Sequence, residues 1–291
     1  MNYRVTHKTT YSYSDRVTLS QNEVRLTPGA SPWQTVTASQ ITVSPRPSSE
    51  SVSTDFYGNQ VRHFTIEKPH RRMIVTLQSD VSVTPRPVPT DRTISWEEAV
   101  AQISAARSDA DLDAQQFVYP SRLIAPSREL REYAASSFIP GRALVEASID
   151  LMRRIYKEFA YTTGATTTTT SIQEVLETRK GVCQDFAQVA VGCLRSLKLP
   201  ARYVSGYLET IPPPGKERLI GADASHAWFS VYIPGFGWLD LDPTNELIVG
   251  ERHVTVGWGR DFADVSPVRG MMVGGVGQKL DVSVDVAPVN V

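Results

Sequence analysis

The chain has 291 residues, room for about two domains of roughly 100–200 residues each and for a sizeable core. A composition 41% hydrophobic and 21% charged excludes disorder for the bulk of it. Thirty Lys and Arg against 31 Asp and Glu leave a net charge of −1, so no global field draws the protein to nucleic acid or an anionic membrane, and neither is expected as a partner.

From residue 3 to about 84 the sequence is rich in Thr, Val, Ser and Tyr, with period-2 runs such as Tyr3–His7, Gln40–Val43 and Met73–Leu77. Turn signals at Pro28-Gly29, Pro45-Arg46-Pro47 and Tyr57-Gly58-Asn59 break these runs, and no helix-length pattern intervenes. Residues 1–85 are therefore expected to form an all-β, sandwich-like domain. Pro85-Arg86-Pro87-Val88-Pro89 favours an extended spacer and marks a boundary.

Residues 86–139 are expected to form a linker and a helical segment, with a capped helix start at Ser95-Trp96-Glu97-Glu98. A second helical pattern begins near Gly141 and runs through Asp150–Lys157. Thr162, Thr163 and Thr166–Thr170 suggest a loop. It leads into Ser171-Ile172-Gln173-Glu174, which fits a capping box.

After Gly181, apolar residues at 182, 186, 189, 190, 193, 194 and 197 define one face of a helix. Both cysteines fall on it, ten residues apart. At a helical rise this is roughly 15 Å, beyond the ~7 Å that a disulfide tolerates between Cα atoms. Two unpaired thiols suit a reducing compartment. The start, Met1–His7, lacks the apolar core of a signal peptide, and no run approaches the roughly 18 apolar residues of a membrane helix. A cytoplasmic protein is expected. Cys183 sits in the first helical turn, where unpaired backbone N–H groups stabilise an anion and favour the nucleophilic thiolate. Gly181 would let the chain turn sharply before it. Taken alone, Cys183 could equally be a small buried hydrophobe, the reading that fits Cys193.

Of the five histidines (His7, His63, His70, His226 and His253), His226 stands out. Ser225–Ile233 reads as a strand, Pro234-Gly235-Phe236-Gly237 as a turn and Trp238–Pro243 as the return strand of a hairpin. A four-residue loop pairing Ile233 with Trp238 would set His226 opposite Asn245 and give Asp242 the wrong parity. Pairing Tyr232 with Trp238 instead puts His226 and Asp242 on one face two positions apart, about 7–8 Å between backbones, which side chains can bridge. A carboxylate there would fix the imidazole's tautomer, and the imidazole would serve as base to the thiol. Singly, His226 could be a satisfied strand histidine and Asp242 an Asp-Pro turn residue.

Four ordered segments, Gly181-Val182-Cys183-Gln184-Asp185-Phe186-Ala187, Leu199–Tyr207, Ala224-Ser225-His226-Ala227-Trp228 and Gly237–Asn245, resemble the bacterial transglutaminase-like family. The likeness covers roughly residues 140–291, including Gly259–Pro267, and the β-rich start is similar to that family's separate N-terminal region. It implies an α+β chain with a papain-like core over 140–291, a C-terminal extension included. It also implies Cys183 as nucleophile, His226 as base and Asp242 as orienting carboxylate, acting on a protein or peptide substrate through a thioester.

The acyl acceptor is left open between an amine and water, the latter making a cysteine peptidase or amidase; a non-catalytic binding module is the third reading. The tryptophan that helps hold the oxyanion in eukaryotic relatives has no counterpart, since no Trp lies between Trp96 and Cys183. The backbone N–H of Cys183 and the Tyr161 hydroxyl are candidates for that task. Asp185 is expected to cap or pair locally, and Arg202 with Asp223, or Arg260 with Asp261 or Asp264, to brace the site. Trp228 and Trp238 are core or cleft-floor aromatics. Gly274-Gly275-Val276-Gly277 lacks the context of a phosphate loop, and no Cys/His spacing suggests zinc, so neither cofactor nor metal is expected. The sequence leaves the oligomeric state open.

Overall fold

The computed structural model describes residues 1–89, 94–106, 108–211 and 224–289. In chain order the first region supplies β1 (Asn2–Val24), β2 (Gln34–Ser44), β3 (Ser49–Thr54), β4 (Gln60–Ile66) and β5 (His70–Val83). Helices α1 (Trp96–Ala105), α2 (Asp109–Gln115), α3 (Arg128–Ala135) and α4 (Leu144–Glu158) follow, then β6 (Ala160–Tyr161), α5 (Ile172–Thr178), β7 (Lys180–Gly181) and α6 (Cys183–Ser196). The remainder is β8 (Ala201–Leu208), β9 (Ala224–Ile233), β10 (Gly237–Asp242), β11 (Leu247–Ile248), β12 (His253–Gly259), β13 (Val268–Gly274) and β14 (Gln278–Pro288). The chain is an α+β protein: a curled β-sheet region followed by a core of helices on an antiparallel sheet.

The first sheet is built on β1, whose alternating pattern turns Tyr3, Val5, His7 and Thr9 inward. Its length lets it serve twice. Residues 2–12 pair with β5 on one edge and β14 on the other, while residues 20–24 pair with β4 and β13. The register with β5 breaks between Ser12 and Val17, so the sandwich-like region is one seven-stranded sheet curled about its longest strand. Residues 268–288 fall in the C-terminal extension that the sequence places after the expected core. Their strands instead join this sheet through β1, and the glycine-rich segment between them is a turn with Gly274, Gly275 and Gly277 at positive φ.

Capping follows the sequence at α1, where Ser95 accepts from the Glu98 amide and Glu98 accepts from the Ser95 amide. Ser171 caps α5 by accepting from the Glu174 amide at 3.2 Å. Helix α4 begins at Leu144 rather than near Gly141, because Gly141 takes a positive φ of 76° that a helix cannot continue.

Helix α6 is the centre of the core, buried from Asp185 through Ser196. Its Val189, Ala190, Cys193 and Leu194 share one apolar cluster with Phe229, Val231 and Ile233 of β9, and the helix packs on β9 as well as on α3, α4 and α5. Arg195, fully buried in this helix, donates to the Ala201 and Arg260 carbonyls and to Ser121 Oγ, which meets the requirement that buried charge be hydrogen-bonded. The second sheet runs β11-β10-β9-β8-β12, all antiparallel. Tyr207, Val254 and Val256 of β8 and β12 pack into the apolar cluster of the first sheet, joining the two regions.

Gly206 is opposite His226 in the β8–β9 pairing, and a Cβ there would stand 2.3 Å from the Val254 carbonyl oxygen and 2.4 Å from the Trp228 ring. Neither can withdraw, since one is backbone and the other is fully buried. Gly206→Ala is expected to lower stability by about 1–3 kcal/mol, the usual cost of overpacking; urea unfolding of the two proteins checks this.

Candidate active site

The loop entering α6 is tied down by one carboxylate. Asp185 Oδ2 accepts from the Val182 amide at 2.8 Å and from Thr166 Oγ1 at 2.6 Å, so it caps the helix start and holds the threonine loop against it. A Cβ on Gly181 would stand 2.7 Å from that same oxygen. Glycine is therefore required here by the close approach of Asp185 rather than by a sharp turn, and its φ is not positive. Residues 180–181 run parallel to Ala160–Tyr161, which sets the direction of the chain into the helix.

Cys183 is the first residue of α6, where the Asp185 amide already donates to the Val182 carbonyl at 2.9 Å and the amides of Cys183 and Gln184 have no acceptor among the described residues. It is partly buried against Ala187, Tyr203, Ala227 and Val265, and its thiol lies near enough to His226 to help raise the imidazole's pKa. Cys193 is completely buried, and burial pushes its thiol up to about 12. Both cysteines are free.

The hairpin takes the register that brings histidine and aspartate together: Trp238 pairs with Tyr232 and Gly237 with Ile233. His226 Nε2 then lies 2.7 Å from Asp242 Oδ2. Asp242 is completely buried and its two oxygens are fully used. Oδ1 accepts from the amides of Thr244 at 2.9 Å and Asn245 at 3.2 Å, while Oδ2 accepts from His226, from Asn245 Nδ2 at 2.8 Å and from His253 Nε2 at 3.1 Å.

The charge states follow from these contacts. Burial disfavours a charged His226, but hydrogen bonds to Asp242 and Cys183, with the charges they carry, outweigh it and raise the imidazole from 6.5 to about 10. Burial likewise opposes the Asp242 carboxylate, yet the hydrogen bonds from His226 and His253 hold it well below the usual carboxylate range. For His253 burial wins, and its pKa is lowered. One carboxylate oxygen thus faces a charged and a neutral imidazole. Nε2 of His226 is committed to Asp242, which leaves Nδ1 to face the thiol.

Sequence reasoning did not single out His253 or assign a role to Asn245. Asp242 accepts from the Thr244 amide two residues on, an Asx turn of the kind an Asp-Pro start favours, and that turn brings Asn245 Nδ2 back to Asp242 Oδ2. His253 carries no such local cue, because β12 reaches the site only by pairing with β8. The ligand-type atoms of His226, Asp242 and His253 lie within 4.8 Å of one another. They would have to give up the hydrogen bonds above to hold an ion.

The other residues named from sequence fall as follows. Tyr161 is 54% exposed, and burial together with the charges of Cys183 and Asp185 raises its hydroxyl. Arg260 pairs with Asp264 at 3.0 Å, whereas Asp261 accepts from the amides of Leu123 and Ala263. Asp223 lies outside the described residues, and Arg202 is held between Trp238 and Trp258, 4.3 Å from each ring. Trp228 is a core residue packed on His253 with ring centroids 5.3 Å apart; Trp238 packs on Phe117.

A cysteine at a helix N-terminus, beside a strand histidine that a buried aspartate holds, on an α+β core, defines a papain-like architecture. The chain belongs to the transglutaminase-like superfamily, which residues 137–243 match, while residues 3–82 match the bacterial transglutaminase-like N-terminal region. An uncharacterized protein of Mycobacterium tuberculosis is 47% identical over 98% of this chain and 92% of its own length. A protein-glutamine gamma-glutamyltransferase of Pseudomonas aeruginosa is 30% identical over 54% of this chain and 23% of its own length. The crystal structure of a "Putative Cysteine Protease" from Cytophaga hutchinsonii has the same fold, with a TM-score of 0.78 at 20% identity, covering 100% of this chain and 92% of that one. Among the described residues, no helix is long and apolar enough to cross a membrane.

The two shifts act on stability in opposite pH ranges. A raised His226 contributes stability that is complete below its unfolded pKa of 6.5 and is lost as pH rises toward about 10. A lowered Asp242 contributes stability present above its unfolded value of 3.8 and lost as pH falls through its folded value. The Tm difference between wild type and His226→Gln is expected to shrink steadily from pH 6 to pH 10. A difference independent of pH over that range would contradict the assigned charge state.

Proposed function

We propose that the chain is a cysteine acyltransferase acting at the carboxamide or peptide carbonyl of a protein or peptide substrate, through Cys183, His226 and Asp242. The observation that carries this reading is a histidine that acts electrostatically with the Cys183 thiol and is held, 2.7 Å from Nε2, by a fully buried carboxylate. The Cys183 thiolate attacks the carbonyl carbon and forms the C–S bond while the carbonyl π pair moves to oxygen. The Cys183 and Gln184 N–H groups at the start of α6 and the Tyr161 hydroxyl are the donors available to that oxyanion. As the tetrahedral intermediate collapses, His226 gives its proton to the departing nitrogen, the C–N bond breaks and a thioester remains. An incoming amine or water, deprotonated by His226, then takes the acyl group and returns the thiolate.

Asp242 keeps the imidazole oriented and charged, and Asn245 and His253 keep Asp242 in place. The named activity of the Pseudomonas relative supports glutamine as donor and an amine as acceptor. The two unpaired thiols support a reducing, cytoplasmic location.

Cys183→Ala is expected to abolish both amine incorporation and ammonia release on a glutamine peptide, read by mass spectrometry, with an unchanged circular dichroism spectrum. Turnover retained in that folded variant would overturn the assignment. In wild type, iodoacetamide is expected to alkylate Cys183 faster than Cys193 well below pH 8.5, and His226→Ala to slow that reaction. Equal and slow reaction of the two thiols would remove the ion pair from the mechanism.

A further inference from the structure

A cavity of about 360 Å³ lies between the β1–β2 loop, the proline-rich spacer and the face of the second sheet turned away from α6; none of Cys183, His226 or Asp242 lines it. Its size falls at the small end of the range of about 300–1,000 Å³ typical of ligand pockets. Trp33, Phe236 and Ile248 supply apolar wall, and Arg86, Arg202 and Asp240 supply its charge.

The arrangement of the charged groups is unusual for a purely structural cluster. Arg86 bridges Asp240 Oδ2 and, at 2.9 Å, Thr255 Oγ1. The guanidinium carbon of Arg202 lies over two rings, those of Trp238 and Trp258, at 4.3 Å each. A guanidinium packed against aromatic rings hydrogen-bonds through its in-plane N–H groups. Among the described residues that in-plane edge has no acceptor, and Nε is buried without a partner. Asp240 is 8% exposed, and its second oxygen, Oδ1, is also buried without a partner. Two guanidiniums against one carboxylate leave the lining with one uncompensated positive charge. Buried polar atoms left in this state are costly unless something completes them.

The missing complement has a definite chemistry. A planar monoanion would meet the free edge of Arg202 side-on, as carboxylates do, and cancel the single excess charge. A phosphate dianion would overcompensate it next to Asp240. The unused Asp240 Oδ1 calls for a neutral N–H, since a cation there would restore the imbalance. We propose that this cavity is a binding site for the C-terminal residue of a peptide, its carboxylate on Arg202, its amide N–H on Asp240 Oδ1 and an apolar side chain against Trp33, Phe236 and Ile248. The inference does not rest on the acyl-transfer reading, because the cavity is separate from Cys183.

Titration calorimetry with N-acetyl-L-leucine, N-acetyl-L-leucinamide and free L-leucine tests it on the intact wild-type chain. N-acetyl-L-leucine is expected to bind saturably, the amide and the zwitterion at least tenfold more weakly. Blocking Cys183 with iodoacetamide is expected to leave the affinity unchanged. Arg202→Met is expected to abolish binding. Trp33→Ala, which alters a partly exposed loop residue and so preserves the fold, is expected to weaken binding severalfold and tests the site should Arg202→Met unfold. Equal binding of acid and amide, no saturable binding of the acid, an unaltered affinity in Trp33→Ala, or loss of binding on blocking Cys183 would each overturn the proposal.

Discussion

The structure around the site depends on a single buried carboxylate. Asp242 has no exposure and accepts five hydrogen bonds, from His226 on β9, His253 on β12, and the backbone and side chain of the turn that follows β10. A carboxylate so deeply buried is tolerated only when its lone pairs are satisfied and its charge is matched. Meeting that requirement fixes the turn at Thr244 and Asn245, the hairpin register and the proximity of β12. The close packing of Trp228 over Gly206 follows, because the strands carrying the two histidines must approach until both reach one oxygen.

The same oxygen explains why two histidines with similar burial carry different charge. Two imidazolium ions on one carboxylate would leave a net positive charge in the sheet, which burial penalises. His226 also has the Cys183 thiol as a partner, whereas His253 Nδ1 is buried with none among the described residues. The extra partner tips His226 toward the charged form and leaves His253 neutral. The charged ring and the carboxylate then stabilise one another, with Cys183 as the ring's further partner.

How much of this was legible in sequence depended on distance along the chain. The hairpin register could be argued from parity alone, because His226 and Asp242 share two adjacent strands. The placement of both cysteines on one helix followed from the 3.6-residue period of their apolar neighbours. Features that depend on remote pairing were not visible. His253 reaches Asp242 only after β12 docks on β8, and β14 alternates like any half-exposed strand while its partner, β1, begins the chain. Gly181 differs from its local cue for a related reason: the sequence around it suggests a turn, but the constraint is an atom of Asp185 folded back against it. Arg202 offered a basic side chain in a strand, with nothing to indicate that tryptophans from two other strands enclose it.

The central claim is that a buried Asp242 holds one charged and one neutral histidine, with the charged ring facing Cys183. Nitrogen-15 NMR of the imidazole rings at pH 8 tests it directly. The account predicts that both ring nitrogens of His226 are protonated, with a strongly downfield Nε2 proton, and that His253 carries a proton on Nε2 alone. A neutral His226 at that pH, titrating near 6.5, would contradict it.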